Sequence, residues 1–429
     1  MTALVFENVR LIDPASGLDA PGRLLTENGR ISGIDKAGAE GIPENATIID
    51  GKGAILCPGL IDMRVEIGEP GHEYRETVNS ASRAAFAGGV TSVAVLPTGT
   101  PPIDDPAMIR LLRSRGGDPD AVTLHPYGAI TKGCSGEALA EIGLLAEAGA
   151  VAFTDGNRAI GPTRLMRQAL TYARAFDAMI VQHPEDPSLA GAGCATDGEL
   201  AIRLGLPGIP TAAEAIMIAR DIRLAELTKG RLHFGHVSTG EGLSLIRAAK
   251  ERGLAITCDT APHYFDLNEN AIGDFRTYAK FSPPLRSESD RQAVCAALAD
   301  GTIDAIASDH TPRDADDKRL PFAQAAAGGT GLCTLLAVTL TRVHDGTLTL
   351  SEALALLTSR PAELLKLESG TLATGARADL CLFDPERIWQ VRAGELPGRS
   401  QNTPFDGRAL EGRVLGTWKA GIQVFGAAA

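Results

Sequence analysis

The sequence lacks the features of membrane, secreted and nucleic-acid-binding proteins. No apolar run approaches the ~20 residues that span a bilayer, and residues 1–13 alternate like a strand instead of resembling a signal peptide. The seven cysteines stand singly, with no CxxC pair, as expected of reduced thiols. A formal net charge of −12 argues against a nucleic-acid or anionic-membrane surface. We therefore expect a cytoplasmic protein with neither type of partner.

What the sequence contains is a regular alternation of short apolar runs and helical stretches. Between residues 57 and 362 the apolar runs are GLIDMRVEI, TSVAVLP, TLHPYGAI, AVAFTD, AMIVQHPED, RLHFGHVS, LAITCDTAP and AIASDH. Eight strand-like runs over roughly 300 residues, with helices between them, are typical of an α/β fold with a (β/α)8 TIM-type barrel.

The two ends of the chain carry strand patterns without helices. Each set, in residues 1–56 and 363–429, is too small to bury a core alone. We therefore predict that they pair to form a second, smaller β-sandwich domain, with residues 57–362 forming the barrel.

Polar residues follow several of the predicted barrel strands, at the end where TIM-type barrels carry their active sites. They are Asp155 in AFTDG, His183 in VQHPED, His236 in FGHVST, and Asp309 with His310 in IASDHTP. Imidazole and carboxylate groups are ligands that zinc accepts. A single histidine at a strand end is usually a hydrogen-bonded structural group, but four such positions on separate strands predict a metal site.

The motifs resemble those of the dihydroorotases of the long bacterial and multifunctional type, within the amidohydrolase superfamily. The matching segments are PGLIDMRVEIGEPG, AGGVTSVAVLPTGTPPIDDP, AVAFTDG, HPEDPSLA, HVSTGEGLSLIRAAKERGL, KFSPPLRSESDR, DGTIDAIASDHTP and SQNTPFDG. The resemblance implies the reversible cyclisation of carbamoyl aspartate to dihydroorotate, a step of pyrimidine biosynthesis. It also implies two divalent ions, usually zinc, and an aspartate that shuttles the proton.

This chain departs from the family pattern at the metal and substrate positions. The His-x-His of the first strand reads Arg64-Val65-Glu66, whereas the remaining ligand positions match Asp155, His183, His236 and Asp309, the last also being the base position. The positions that hold substrate in the family carry Gly68, Thr98, Ser282 and Arg313. The resemblance therefore implies zero or one zinc ion and a weakened substrate pocket.

Arg64 cannot act as a metal ligand, because a guanidinium has no lone pair to offer and stays protonated. We expect Arg64 and Glu66 to be structural replacements, with Arg64 occupying the lost metal position and pairing with Asp309 or Asp155. His263 matches a family position, although a structural hydrogen bond explains it equally well. His72 is expected to be solvated, and His125 carries no signal for a site. DADDKR at 314–319 reads as a solvated loop, within the 312–330 segment that is an active-site lid in the family.

These observations favour a dihydroorotase homologue without catalytic activity. The resemblance implies that such a chain is a structural subunit of aspartate carbamoyltransferase, within a homo- or hetero-oligomer. The alternative is an active enzyme with one zinc, bound by Asp155, His183 and His236, with Asp309 as base, acting on dihydroorotate or a related cyclic amide.

Overall fold

The computed structural model describes residues 3–35 and 46–426. The predicted domain ranges also include residues 1–2, 36–45 and 427–429, which lie outside the described residues. No helix within the described ranges is long and apolar enough to cross a membrane.

The strands and helices alternate through the middle of the chain. The strands are β1 Ala3–Asp13, β2 Leu18–Glu27, β3 Arg30–Asp35, β4 Thr47–Asp50, β5 Ile55–Pro58, β6 Leu60–Val65, β7 Val90–Val95, β8 Thr123–Pro126, β9 Met179–Gln182, β10 Ala195–Thr196, β11 Gly208–Ile209, β12 Arg231–Phe234, β13 Ile256–Thr260, β14 Ala305–Ile306, β15 Leu380–Gln390, β16 Ala409–Lys419 and β17 Ile422–Gly426. The helices are α1 Val78–Ala87, α2 Pro106–Gly116, α3 Ile142–Ala148, α4 Thr163–Arg174, α5 Pro187–Ala190, α6 Glu199–Leu204, α7 Ala212–Thr228, α8 Gly240–Glu251, α9 Pro262–Asp266, α10 Glu288–Ala299, α11 Ala315–Arg319, α12 Leu335–His344, α13 Leu350–Ala355 and α14 Ser359–Leu365. Single 3-10 turns span Lys132–Cys134, Glu269–Ile272, Thr277–Ala279 and Ala393–Glu395.

The predicted barrel is present and closes on itself. β6, β7 and β8 form one parallel set, and β9, β12, β13 and β14 form another. Phe153 bridges the two sets, because it pairs with Gly128 on one side and with Ile180 on the other. The last run returns to the first where Val65 pairs with His310. All eight apolar runs of the sequence therefore contribute to the barrel wall, and the predicted fold class is confirmed.

Burial explains why the barrel runs are continuously apolar. Every residue of β6 and β7 is buried, as expected for parallel strands covered on both faces. Some of the surrounding helices bury one face only. In α4, for example, the buried side chains are Leu165, Met166, Ala169, Leu170 and Ala173, which recur at helical spacing. The result is a filled barrel whose strand ends point functional side chains toward one face.

Strands from both chain ends pair in a separate eight-stranded sheet, here called the composite sheet. Its order is β17-β16-β15-β5-β1-β2-β3, with β4 beside β1. The two ends of the chain meet where β5 pairs antiparallel with β15. A second core containing Phe6, Leu24 and Trp418 lies against this sheet. β5 straddles the predicted domain limit between residues 56 and 57, and the exact limits stay a prediction.

Candidate functional site at the carboxyl end of the barrel

The polar residues singled out in the sequence lie at the carboxyl ends of the barrel strands. His183, His236 and Asp309 follow β9, β12 and β14, and Arg64 is the fifth residue of β6. His236 and Asp309 have φ values of 42° and 50°, in the left-handed region that non-glycine residues seldom adopt. Such backbone strain persists only where the surrounding structure fixes it, and it is common at functional sites.

Arg64 is the central cation of this face. Its side chain is only 2% exposed, and its Nε donates a 2.8 Å hydrogen bond to Asp309 Oδ1. Its Nη2 donates to Asn157 Oδ1 and to the Gly156 carbonyl. The pairing of Arg64 with Asp309 is one of the two predicted from the sequence. Burial alone would raise the pKa of Asp309, but the facing positive charges, His236 when protonated and Arg64 always, hold that pKa well below its usual range.

Two histidines at the predicted metal positions bind each other. His183 Nδ1 and His236 Nε2 lie 2.8 Å apart, so one imidazole donates to the other. The other ring nitrogen of His236, Nδ1, lies 3.6 Å from Asp309 Oδ2. Burial, and then the charge of Arg64, lowers the pKa of His236 to about 4. His236 is therefore neutral at pH 7, and one nitrogen of each ring is committed to the other ring.

Asp155 is hydrogen-bonded to the loop that precedes its strand run. Its Oδ1 accepts hydrogen bonds from the backbone amides of Ile130 and Thr131 at 2.9 and 3.0 Å. Its Oδ2 accepts from the Thr131 hydroxyl. Burial raises the pKa of Asp155, whereas the Thr131 hydrogen bonds act to lower it. The structure thus joins Arg64 to Asp309 and His183 to His236, but gives Asp155 a different set of partners.

These contacts do not fit a two-metal site. Within residues 3–35 and 46–426, no group of three or more His, Cys, Asp or Glu side chains is arranged to hold a metal ion. Arg64 brings a permanent positive charge against Asp309, where a cation would otherwise bind. Asp155 and one ring nitrogen each of His183 and His236 are hydrogen-bonded to protein groups, whereas His236 Nδ1 makes no hydrogen bond within the described chain and lies 3.6 Å from Asp309 Oδ2.

The second replaced metal position, Glu66, pairs with the replaced substrate position, Arg313. Arg313 Nη1 and Nη2 donate to Glu66 Oε1 and Oε2 at 2.6 and 3.1 Å. Arg313 Nε also donates to the Ala327 carbonyl at 3.1 Å. This fork-to-fork geometry is the strong form of an ion pair. Both departures from the family pattern are therefore explained by one structural contact.

The other substrate positions carry small residues, and at Gly68 there is no room for a side chain. A Cβ on Gly68 would lie 2.2 Å from the His72 carbonyl oxygen, so no side chain fits there without moving the backbone. Thr98 packs its methyl group against Gly156, whose own Cβ would lie 2.3 Å away. Ser282 Oγ lies 3.3 Å from Glu185 Oε1.

His263 and His233 are buried against neighbouring side chains of the barrel. His263 stacks on Phe281 at a centroid distance of 3.9 Å, and its Nε2 lies 3.8 Å from Asp309 Oδ2. Burial lowers the pKa of His263 to about 3. His233 is fully buried between Thr257 and Asp259.

The charged run at 314–319, predicted to be a solvated loop, is instead mostly helical and contains one buried lysine. Residues 315–319 form α11, and Lys318 is buried. Lys318 Nζ donates to the carbonyls of Ala326 and Gly328 at 2.8 and 2.9 Å, and Lys280 Nζ donates to Ala323. The run at 314–319 was predicted to be solvated because most of its residues are charged. The carbonyls of the residues that follow this run accept from the two lysines, and that pairing depends on the tertiary fold.

Sequence reasoning also missed two residues that complete the site. Asn157 accepts from Arg64, and Glu185 lies 3.8 Å from His183. Each stands two positions after a predicted ligand, in TDGN and HPE, so a polar residue just beyond a strand end was the available signal.

Comparison with known proteins gives a consistent family. A dihydro-orotase-like family model matches residues 53–242, and an amidohydrolase family model matches residues 192–425. The dihydroorotase of Syntrophus aciditrophicus is 43% identical over 98% of this chain and 99% of its own length. That of Pelobacter propionicus is 44% identical over the same shares.

Solved structures share the fold. The L-hydantoinase (dihydropyrimidinase) of Arthrobacter aurescens superposes with a TM-score of 0.89 at 24% identity, over 100% of this chain and 97% of that one. The dihydropyrimidinase of Brevibacillus agri gives 0.85 at 21% identity, over 99% and 95%.

Proposed function

This chain belongs to the dihydroorotase family of amidohydrolases, and from that premise we propose that it is a non-catalytic member that serves pyrimidine biosynthesis as a structural partner of aspartate carbamoyltransferase. The observation that carries the proposal is the buried Arg64–Asp309 ion pair. It places a guanidinium where the family pattern has a metal ligand, and it engages the carboxylate that stands at the base position.

The chemistry of hydrolysis supports this proposal. Opening a cyclic amide requires an activated water and a group that polarises the carbonyl, which bound metal ions supply in this family. Arg64 cannot ligate a metal, and its charge opposes the entry of a cation beside Asp309. A base that is held ionised by a fixed ion pair is also a weak proton acceptor.

The substrate positions support it independently. Active members hold the substrate carboxylate with an arginine at the position of Gly68, and the backbone around Gly68 leaves no room for a side chain. Arg313 directs both terminal nitrogens to Glu66 instead of toward a ligand. Restoring the metal ligands alone would therefore leave dihydroorotate poorly held.

A structural role is consistent with a chain that retains the family fold but has lost residues of the family site. The chain aligns with dihydroorotases over 98% of its length while its site residues have become internal ion pairs. A surface contributed to another subunit depends on the outer face of the barrel and not on Arg64 or Glu66. The identity of the partner rests on the family resemblance, and the resulting particle is expected to be a hetero-oligomer.

The first experiment is an assay of dihydroorotate hydrolysis and of the reverse condensation by the purified chain, with and without added zinc. The dihydroorotase of Syntrophus aciditrophicus is the positive control, and an Arg64→His/Glu66→His variant is assayed beside the wild type. We expect no turnover by either form. Zinc-dependent turnover by the wild type would contradict the proposal and favour the one-metal enzyme. Turnover by the variant alone would show that the substrate positions matter less than argued.

The partnership is tested separately. The tagged chain is expressed with the aspartate carbamoyltransferase of the same organism, and the mass of the purified complex is measured in solution. We expect a stable complex whose carbamoyltransferase loses assembly or activity when this chain is withheld. Separate elution of the two proteins, with full carbamoyltransferase activity, would refute the structural role.

A further inference from the structure

A cleft lies at the end of the barrel opposite Arg64, where the barrel meets the composite sheet. Its volume is 690 Å³. Ser92 and Thr123 line it near the amino ends of β7 and β8, and Arg30 and Arg377 line it from the side of the composite sheet. The catalytic face of the family lies at the other end of these parallel strands, so this cleft is a separate site.

The lining of the cleft is positively charged, although the whole chain carries a formal net charge of −12. Its charged side chains are the cations Arg30, Arg113, Lys366 and Arg377 and the carboxylates Glu368 and Asp379. Four positive and two negative groups give a formal balance of +2. Such a local excess of one sign attracts an oppositely charged ligand.

Two of these cations have no carboxylate partner. Arg377 pairs with Asp379 at 3.1 Å, and Lys366 pairs with Asp177 outside the cleft. Arg30 donates to the Gly375 carbonyl at 2.7 Å, and Arg113 Nη1 lies at 3.4 Å from the Ala148 carbonyl. Among the residues that the structure describes, neither guanidinium has a carboxylate oxygen within 4.0 Å. Both keep donors available for an anion.

Buried polar atoms in the cleft wall also lack partners. Thr123 Oγ1, His125 Nε2 and Ser369 Oγ are buried and make no hydrogen bond within the described chain. An unsatisfied buried polar atom costs free energy, so several along one wall indicate a missing partner. Burial, and then the charges of Arg113 and Arg377, lowers the pKa of His125 to about 4. A neutral imidazole can donate one N–H to an anion.

We propose that this cleft binds a small phosphate ester through Arg30 and Arg113, with the free groups of Thr123, His125 and Ser369 as additional partners. Guanidinium groups and hydroxyls are the usual recognition elements for phosphate oxygens. The cleft has the size of a small-molecule site, which leaves space for the organic part of an ester beyond the phosphate itself. Binding at this cleft would be the same whether or not the barrel is catalytic.

Isothermal titration calorimetry at constant ionic strength tests the site, with orthophosphate and ribose 5-phosphate as probes and chloride as the reference anion. We expect saturable binding by the full chain, tighter for the ester than for orthophosphate. Equal affinity for both would overturn the ester assignment in favour of free phosphate. Absence of binding by both probes would overturn the site.

Matched variants localise the binding. Arg113→Gln should weaken it roughly tenfold or more, and Thr123→Val by a smaller factor, because charge-assisted hydrogen bonds exceed neutral ones. Arg110→Gln, an exposed arginine on the same helix that does not line the cleft, should leave the affinity unchanged. Equal weakening by Arg110→Gln would show general charge attraction and refute the proposal. The imidazole resonances of His125 should shift on titration of the wild type, and unchanged resonances would count against the site even if heat is released.

Discussion

Replacing Arg64 with methionine should destabilise the protein more than any exposed arginine replacement. The side chains of Arg64 and Asp309 are 2% and 5% exposed, so removal of the cation leaves a carboxylate buried without its partner. Breaking a buried pair in this way costs about 3–5 kcal/mol. Unfolding entropy of about 2.1 cal/mol/K per residue gives roughly 0.9 kcal/mol/K for a chain of this length. We therefore expect the melting temperature to fall by about 3–6 °C.

A double-mutant cycle separates the pair from its surroundings. Arg64→Met, Asp309→Asn and the double variant are compared with the wild type by calorimetry. Because the double variant leaves no unpaired buried charge, it should be more stable than the sum of the single losses predicts, with a coupling of about 2 kcal/mol or more. The matched control is the exposed pair Arg10–Asp19, whose side chains are 48% and 38% exposed. Its coupling should stay within about 1 kcal/mol.

Two results would refute this prediction: an Arg64→Met variant that melts at or above the wild-type temperature, or a coupling at the buried pair equal to that at the exposed pair. Either result would mean that Asp309 finds another partner at little cost, and that Arg64 does not hold this end of the barrel together.

Three further predictions concern neighbouring contacts. Gly68→Ala should lose about 1–3 kcal/mol of stability in thermal denaturation, because its Cβ would lie 2.2 Å from a backbone carbonyl oxygen. Gly33 has open space around it, so Gly33→Ala should change the stability little. Equal melting temperatures of the two variants would contradict this prediction. Arg313→Ala should speed amide hydrogen exchange across residues 312–330 by roughly tenfold or more, because it breaks the ion pair with Glu66. Unchanged exchange rates would show that other contacts hold the segment. Burial lowers the pKa of Lys318 to about 7, from 10.5 in the unfolded chain. Between these two pH values the unfolded state binds more protons than the folded state. The contribution of Lys318 to stability therefore rises with pH across that window. Lys318→Met should remove that rise. The denaturation midpoints of the wild type and the variant are measured from pH 7 to 10.5, and their difference should grow with pH. Midpoints that change in parallel with pH would refute the prediction.

The barrel could be predicted from the sequence because its signal is local. An apolar run such as TSVAVLP is a strand that must be buried on both faces, and this requirement is written in consecutive residues. The strand-end positions of His183, His236 and Asp309 followed directly, because parallel strands bring their carboxyl ends to one face. The pairing of the two chain ends could also be inferred, since neither strand set could bury a core alone.

The partners of charged residues could not be predicted in the same way. The sequence left Arg64 with two possible carboxylates, and it gave no indication that Glu66 and Arg313, 247 positions apart, would bind each other. The charged run at 314–319 was read as solvated, yet Lys318 is buried beneath backbone carbonyls. His125 carried no signal, because the residues that surround it come from distant parts of the chain.

The strands, their order and the loss of two metal ligands from the family pattern could therefore be predicted without coordinates. Those features depend on residue type and on local periodicity. The folded arrangement was needed to learn which charges neutralise each other, which polar atoms remain without partners, and where positive charge accumulates. Electrostatic and hydrogen-bond energies depend on distances of a few ångströms between groups that are far apart in the chain, and only barrel closure fixes those distances.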